Sequence, residues 1–211
     1  MKTLIVNAHP FPNDDAHFSQ NLLKGFLAKY DAKFSRNDLD IVNLYEEDLP
    51  SIGKDLLTLW GAQMAGQALT EEQKALSARQ MRYLDLFKAA KRVVFVSPLY
   101  NFNLPSRLKD FIDNVMVAGQ TFKYTEKGPA GLLTDDHRGL LLSASGSVYT
   151  NNDQYTAFEF HYHYLKSVLC TIAGFSSFAA VRAQGVAILA ADQVMASANL
   201  QLDAEFDKFY A

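Results

Sequence analysis

Three short stretches collect most of the groups that could do chemistry in this 211-residue chain. The first runs from Asn7-Ala8-His9-Pro10 to His17-Phe18-Ser19-Gln20 and sets amide, imidazole and hydroxyl groups just ahead of a helical pattern. Free backbone N–H groups and the positive dipole end at a helix start favour an anion. A terminal phosphate would fit there against Ser19 and the amides beside it; the other reading is that Ser19 only caps the helix. The stretch carries neither the Gly-x-Gly-x-x-Gly pattern of a dinucleotide site nor the Walker lysine.

The second stretch is Ser97-Pro98-Leu99-Tyr100-Asn101-Phe102-Asn103-Leu104-Pro105, with two aromatics and two asparagines between prolines. Aromatic faces and amide donors suit a planar heteroaromatic ring with carbonyl and nitrogen edges, such as a flavin. A rigid strand-to-helix connection would account for Pro105 near a helix start, but not for the Tyr-Asn-Phe-Asn run. The third stretch, Ser143-Ala144-Ser145-Gly146-Ser147-Val148-Tyr149, offers small residues that let a ligand approach the backbone, a composition equally at home in a turn. Ser145 does not sit in the Gly-x-Ser-x-Gly elbow of a hydrolase.

Other candidate groups point to structure. His161 and His163 are two apart, on different faces of a helix, and make a poor metal pair. Cys170, beside Leu165 and Leu169, reads as a packed thiol. The acid pairs Asp14-Asp15, Glu46-Glu47 and Asp135-Asp136 read as solvated loop charges. Trp60 and Met64 could cover a pocket or simply pack a loop.

The elements that must position these stretches alternate along the chain. Strand patterns lie at residues 3–8, 41–44, 92–97, 139–143 and 177–186; helical patterns lie at 18–34, from 70, around 104–115, at about 155–172 and at 192–210. Thr70 and Gln73 have the spacing of a capping box. Residues 45–69 read as irregular, broken by Pro50, Gly53, Gly61 and Gly66, and residues 119–129 as a loop or small hairpin. Strands alternating with helices predict an α/β chain in three layers: a doubly wound, five-stranded parallel sheet of order 2-1-3-4-5, in one domain over residues 1–211. Ligands of such sheets bind beyond the carboxyl ends of the strands at the switch point, which selects the loops after strands one, three and four. Those loops are the three stretches above.

Composition excludes some functions. Hydrophobic residues at 49% and charged residues at 20% are ordinary for a globular protein, and a net charge of -3 gives no footing for a nucleic-acid or membrane-surface partner. One cysteine allows no internal disulfide and no cysteine-based zinc site, which favours a reducing compartment. The Leu4-Ile5-Val6 run is too short for a signal-peptide core, and no segment approaches the roughly 20 apolar residues of a membrane helix. The expectation is a soluble, cytoplasmic protein.

Residues 98–131, PLYNFNLPSRLKDFIDNVMVAGQTFKYTEKGPAG, carry a resemblance. Their Pro-x-Tyr-Asn-Phe loop, Leu-Lys-x-x-x-Asp helix, Gly-x-Thr-Phe-x-Tyr segment and Gly-Pro-x-Gly turn resemble the flavodoxin-like family of NAD(P)H-dependent azoreductases and quinone reductases. Weaker likeness covers nearly the whole chain, including His9, Ser19 and Val181-Arg182-Ala183-Gln184-Gly185. The resemblance implies bound FMN, its phosphate near His9, His17, Phe18 and Ser19. Its ring would lie against Pro98, Leu99, Tyr100, Asn101 and Phe102, with Ala144, Ser145, Gly146 and Ser147 closing another side. It further implies NADH or NADPH as co-substrate, a quinone or azo compound as acceptor, and ping-pong transfer through the flavin. A homodimer with both active sites at its interface follows from the same likeness, with Phe122 and Tyr124 helping to line the substrate cavity. The flavin carries the chemistry, so no residue is assigned as obligatory acid or base, and Asn101 is expected to tune the ring. Two alternatives keep the fold and the flavin without nicotinamide turnover: an electron carrier, against which the small net charge counts, and a flavin-binding redox sensor. A hydrolase using Ser145 is a distant third. At two places the chain departs from the azoreductase pattern: Ala8-His9-Pro10 replaces serines, and Ala-Ser-Gly-Ser replaces Ser-Arg-Gly-Gly.

Overall fold

The computed structural model describes residues 1–211. In chain order it contains β1 (Thr3–Asn7), α1 (Phe18–Lys33), β2 (Leu39–Asn43), α2 (Lys54–Met64), α3 (Glu71–Ala89), β3 (Arg92–Pro98), α4 (Ser106–Val115), β4 (Phe122–Thr125), β5 (Gly128–Gly131), β6 (Arg138–Ser145), α5 (Phe160–Lys166), β7 (Ser177–Gln184) and α6 (Ala191–Tyr210). Every residue of β1 and β3 is buried, which is why their apolar runs show no alternation.

Five strands form a parallel sheet of order β2-β1-β3-β6-β7. Counting only sheet strands, this is the expected 2-1-3-4-5, because β4 and β5 pair with each other as a separate antiparallel hairpin within the stretch read as a loop or hairpin. The register sets Asn7 beside Val96 and Pro98 beside Ala144, so β1, β3 and β6 end at one edge. On one face Leu22, Phe26 and Tyr30 of α1 and Leu202, Phe206 and Phe209 of α6 pack over Ile5, Val94 and Leu142. On the other, α3, α4 and α5 bring Tyr83, Phe87, Phe111 and Leu165 against Leu4, Val93 and Phe95. No helix is long and apolar enough to cross a membrane.

The capping box forms as expected, with the Thr70 side chain accepting the Gln73 N–H while Gln73 accepts the Thr70 N–H. Three readings need correction. Residues 45–69 are not wholly irregular: α2 starts after Gly53 and buries Leu56, Leu59 and Ala62 on one face. A glycine inside a helix costs only about 1 kcal/mol, which this buried face outweighs. The segment expected as a helix from about residue 155 begins with a single tight turn at Thr156–Phe158, becomes α5 at Phe160, and widens into a π-helix at Ser167–Ala173. On α5, His161 is fully buried while His163 faces solvent, the different faces expected of helix residues two apart. The pair Asp135-Asp136 is not merely solvated. Asp136 accepts from Arg92 (3.0 Å), Arg138 (2.8 Å) and Ser176 (3.1 Å), and Asp135 pairs with Lys91 and, at 2.8 Å, with His137. This cluster ties together the starts of β3, β6 and β7, far from the edge where the three loops meet.

Candidate functional site

The loop after β1 is shaped by an amide pair. Asn7 and Gln20 exchange two hydrogen bonds of 3.0 Å, and Asn7 also donates to Asn43 on β2. His9 is buried and its Nδ1 accepts the Phe11 N–H at 3.1 Å. Burial, and then the neighbouring His17, push the His9 pKa down, so its imidazole stays neutral near pH 7. The His17 ring lies 4.2 Å from that of His9 and stacks on Phe11 at 5.5 Å. His17 is the residue ahead of α1, and its side chain makes no capping bond.

Ser19 therefore does not cap the helix. It lies in the first turn, 1% exposed, and its hydroxyl has no hydrogen-bond partner. A buried hydroxyl without a partner is costly, and one beside the free N–H groups of a helix start fits an anion such as phosphate. Phe18 is half-buried next to it.

The loop after β3 is a tight reversal. Tyr100 and Asn103 exchange N–H···O=C bonds of 2.9 Å each, and the two residues between them both have left-handed backbones, Asn101 at φ 47° and Phe102 at φ 67°. Asparagine tolerates this conformation; for phenylalanine it is strained. The Asn101 side chain is exposed and makes no hydrogen bond within the chain. Pro98 is buried, and the Leu99 N–H is tied to the Ala144 carbonyl at 2.8 Å, which locks this loop to the next. Tyr100 and Asn101 also edge a cavity of about 540 Å³ that they share with Tyr45, Asn103, Lys109 and Tyr164. Burial pushes the Tyr45, Tyr100 and Tyr164 phenols up, so all three remain hydrogen-bond donors.

In the loop after β6, Ser145 donates to the Ser147 carbonyl at 2.9 Å. That carbonyl is the only hydrogen-bond partner of its hydroxyl, so no histidine, lysine or carboxylate is in place to activate it as a hydrolase nucleophile. Ala144 and Ser147 are half-buried and Gly146 is exposed. A methyl group on Gly146 would meet only Ala187 at ordinary contact distance, so the backbone approach there stays open.

Thus His9, His17, Phe18, Ser19, Pro98 to Phe102 and Ala144 to Ser147 converge at the ends of three adjacent strands. Phe122 and Tyr124 do not join them within one chain: on β4 their rings pack edge to face at 5.4 Å, and Tyr124 is 76% exposed. Trp60 donates to Gln80 at 2.9 Å and, with Met64, Met116 and Val117, lines a separate apolar cavity of about 630 Å³. Cys170 is half-buried and its pKa is raised by burial, as expected of a packed thiol. Sequence reasoning missed the contact of Phe158 and Phe160 with Phe102; the only available signal was the density of aromatics between residues 155 and 164.

Comparison with known proteins gives a consistent pattern. The model of the Flavodoxin_2 family, described as a flavodoxin-like fold, matches residues 1–206. The chain is 44% identical over 212 residues to FMN-dependent NADH:quinone oxidoreductase 1 of Lactiplantibacillus plantarum, covering 99% of each chain. It is 41% identical to FMN-dependent NADH:quinone oxidoreductase of Streptococcus agalactiae, covering 100% of this chain and 99% of the relative. Among solved structures, an FMN-dependent NADH-azoreductase from Bacillus anthracis in complex with FMN superposes with a TM-score of 0.94 at 42% identity, covering 98% of both chains.

Proposed function

The chain belongs to the Flavodoxin_2 family, and on that premise we propose that it is an FMN-dependent oxidoreductase that takes electrons from NADH and reduces quinones or azo compounds. The observation that carries this reading is the meeting of an unpartnered Ser19 hydroxyl with the strained Asn101–Phe102 turn along one edge of the sheet. The first fits a terminal phosphate and the second presents amide and aromatic groups to a flat ring.

Each loop has a separate task. Ser19 and the first N–H groups of α1 hold the phosphate, with the neutral His9 ring and the His17 ring beside it. Tyr100, Asn101 and Phe102 face the ring, and the 144–147 backbone closes another side. When bound, FMN supplies the two-electron relay between nicotinamide and acceptor, and the protein supplies orientation and electrostatics. The free Asn101 amide is placed to donate to charge that develops on a ring edge. The Tyr45 and Tyr100 phenols, held protonated, offer further donors at the mouth.

Donor and acceptor share one site in this reading, which gives ping-pong kinetics. The working unit is a homodimer with both active sites at its interface, where the exposed Tyr124 and its neighbour Phe122 help to line the substrate cavity. Residues 1–211 act as a single three-layered domain, and the setting is the cytoplasm. An electron carrier without nicotinamide turnover is the competing reading, and the modest charge of -3 counts against it. Absorption spectroscopy of the purified protein, chromatography of the flavin it releases and steady-state NADH oxidation with a quinone test the proposal. The expected results are a yellow protein, FMN as the released species and sustained turnover. FAD, or no flavin at all, would overturn it.

A further inference from the structure

The Asn101–Phe102 turn does not hold its own shape. The two bonds between Tyr100 and Asn103 close the reversal, but they are compatible with a turn of either hand. A phenylalanine at φ 67° stays there only where its surroundings over-determine it. The outside restraints come from one segment, the connector between β6 and α5 together with the first residue of α5. The Phe160 N–H donates to the Phe102 carbonyl at 3.1 Å. The Phe102 ring meets that of Phe158 at 5.4 Å and, edge to face, that of Tyr149 at 6.3 Å.

The connector is itself referenced to β7. Gln184 accepts the Tyr149 N–H at 3.0 Å and donates to the Thr150 hydroxyl at 2.6 Å. Glu159, buried, accepts the Tyr162 N–H at 2.8 Å and lies 3.7 Å from the Arg182 guanidinium, which sits over the Tyr162 ring. Phe158 is different from a core residue, because it is 45% exposed. Its ring partner is Phe102, a residue of strained backbone at the edge of the candidate site, not a core layer.

We propose that Phe158, with Tyr149 and the Phe160 amide, clamps the Asn101–Phe102 turn and is a positioning residue for the ring-binding edge of the site. The clamp does not touch the ring. It fixes the hand of the turn, and with it the direction of the Asn101 amide. This deepens the flavin reading and rests on it for its functional consequence, while the clamp itself is a property of the protein alone.

The test uses Phe158→Ala and Phe158→Tyr in the full chain, with Phe158→Leu should the alanine variant not fold. The first readout is amide hydrogen exchange of the flavin-free protein at residues 99–104. Phe158→Ala should speed exchange of the Tyr100 and Asn103 amides by about tenfold, with the rest of the sheet unchanged. Phe158→Tyr should restore the parent rate. The second readout is FMN affinity from flavin fluorescence quenching. Phe158→Ala should raise the dissociation constant roughly three- to tenfold, the size one aromatic contact supports, and Phe158→Tyr should recover it. Tyr210→Phe, which loses a bond to Thr3 at the opposite edge of the sheet, is the stability control and should leave both readouts unchanged. Unaltered exchange at 99–104 in Phe158→Ala, or a rise spread evenly over the chain, overturns the clamp. If the parent protein binds no FMN while exchange still rises locally, the flavin reading fails and the clamp stands.

Discussion

Asn7 and Gln20 bind each other amide to amide, each donating to the other at 3.0 Å, and so join the end of β1 to the first turn of α1. The same oxygens also receive the His9 and Asn13 N–H groups at 3.3 Å. The pair therefore fixes both ends of the loop that carries the phosphate candidates. Replacing Gln20 with leucine leaves a buried amide without its partner and should cost about 1–3 kcal/mol of stability. FMN affinity should fall with it. Chemical denaturation of Asn7→Leu, Gln20→Leu and the double variant checks the coupling: a double variant as unstable as the sum of the singles would mean that the two amides act independently.

Ser19 separates phosphate binding from helix capping. Because its hydroxyl has no partner in the chain, Ser19→Ala should leave the flavin-free protein as stable as before, or more stable by about 1 kcal/mol. FMN binding should weaken roughly tenfold, as expected for one hydrogen bond to a charged group. A lowered melting point with unchanged FMN affinity would return Ser19 to a structural role.

Acid stability should depend on Asp136. Burial raises its pKa, but hydrogen bonds from Arg138, Arg92 and Ser176 outweigh this and hold the carboxyl down at about 2. A carboxylate with a lowered folded pKa contributes stability that is present above its unfolded value, near 4, and is lost as pH falls through the folded value. Asp136 is half-exposed, so solvent screening leaves a contribution of the order of 1 kcal/mol. Asp136→Asn should therefore lower stability at pH 6 and flatten its decline between about pH 4 and pH 2. Denaturant midpoints across that range decide it; curves for parent and variant that stay parallel would place the acid response elsewhere.

Gly131, at the end of the hairpin that carries Phe122 and Tyr124, packs directly on the backbone of Ala173 and Gly174 where the π-helix ends. A methyl group there would overlap main-chain atoms, so Gly131→Ala must shift the hairpin. The expected cost is about 1–3 kcal/mol, together with loss of the dimer if the hairpin reaches a partner. Light scattering of the parent should give twice the 23.6 kDa of one chain. A parent that is monomeric at micromolar concentration would remove Phe122 and Tyr124 from the substrate cavity.

Much of this was readable from residue types. The unalternating runs in β1 and β3 announce strands buried on both faces, and the polar stretches that follow β1, β3 and β6 must then share one edge. What was not readable depends on contacts between distant residues. α2 was hidden because Gly53, Gly61 and Gly66 look like breaks, while the burial of Leu56 and Leu59 that offsets them is a tertiary effect. The acids at 135–136 looked solvated because their partners Lys91 and Arg92 are brought alongside only by the β3–β6 pairing. Asn101 carries a hint of a left-handed backbone in its residue type; Phe102 carries none. Its strain becomes visible only when Tyr149, Phe158 and Phe160 close around it.

The last prediction concerns Asn101 and the order of the reaction. The backbone at Asn101 has φ 47°, so alanine there would mix loss of the amide with backbone strain. Asn101→Gly keeps the conformation and removes the amide alone. That amide makes no bond within the chain, so the folded protein should lose at most about 1 kcal/mol, the conformational cost of a new glycine. Turnover per bound flavin should fall much further. Losing a donor to developing charge in a buried site costs about 2.7–4 kcal/mol of transition-state stabilisation, taken as an upper guide for this half-open one. If Asn101 served only to shape the turn, glycine would replace it with little effect on turnover, because glycine adopts the same backbone freely. The reaction order follows from one shared site: the oxidised nicotinamide must leave before the acceptor enters, and double-reciprocal plots at several acceptor concentrations should be parallel. Melting temperature, flavin content and turnover, measured on one preparation of each protein, bring these expectations together. Intersecting lines would require donor and acceptor to bind at once, and full turnover per flavin in Asn101→Gly would mean that another group meets the ring.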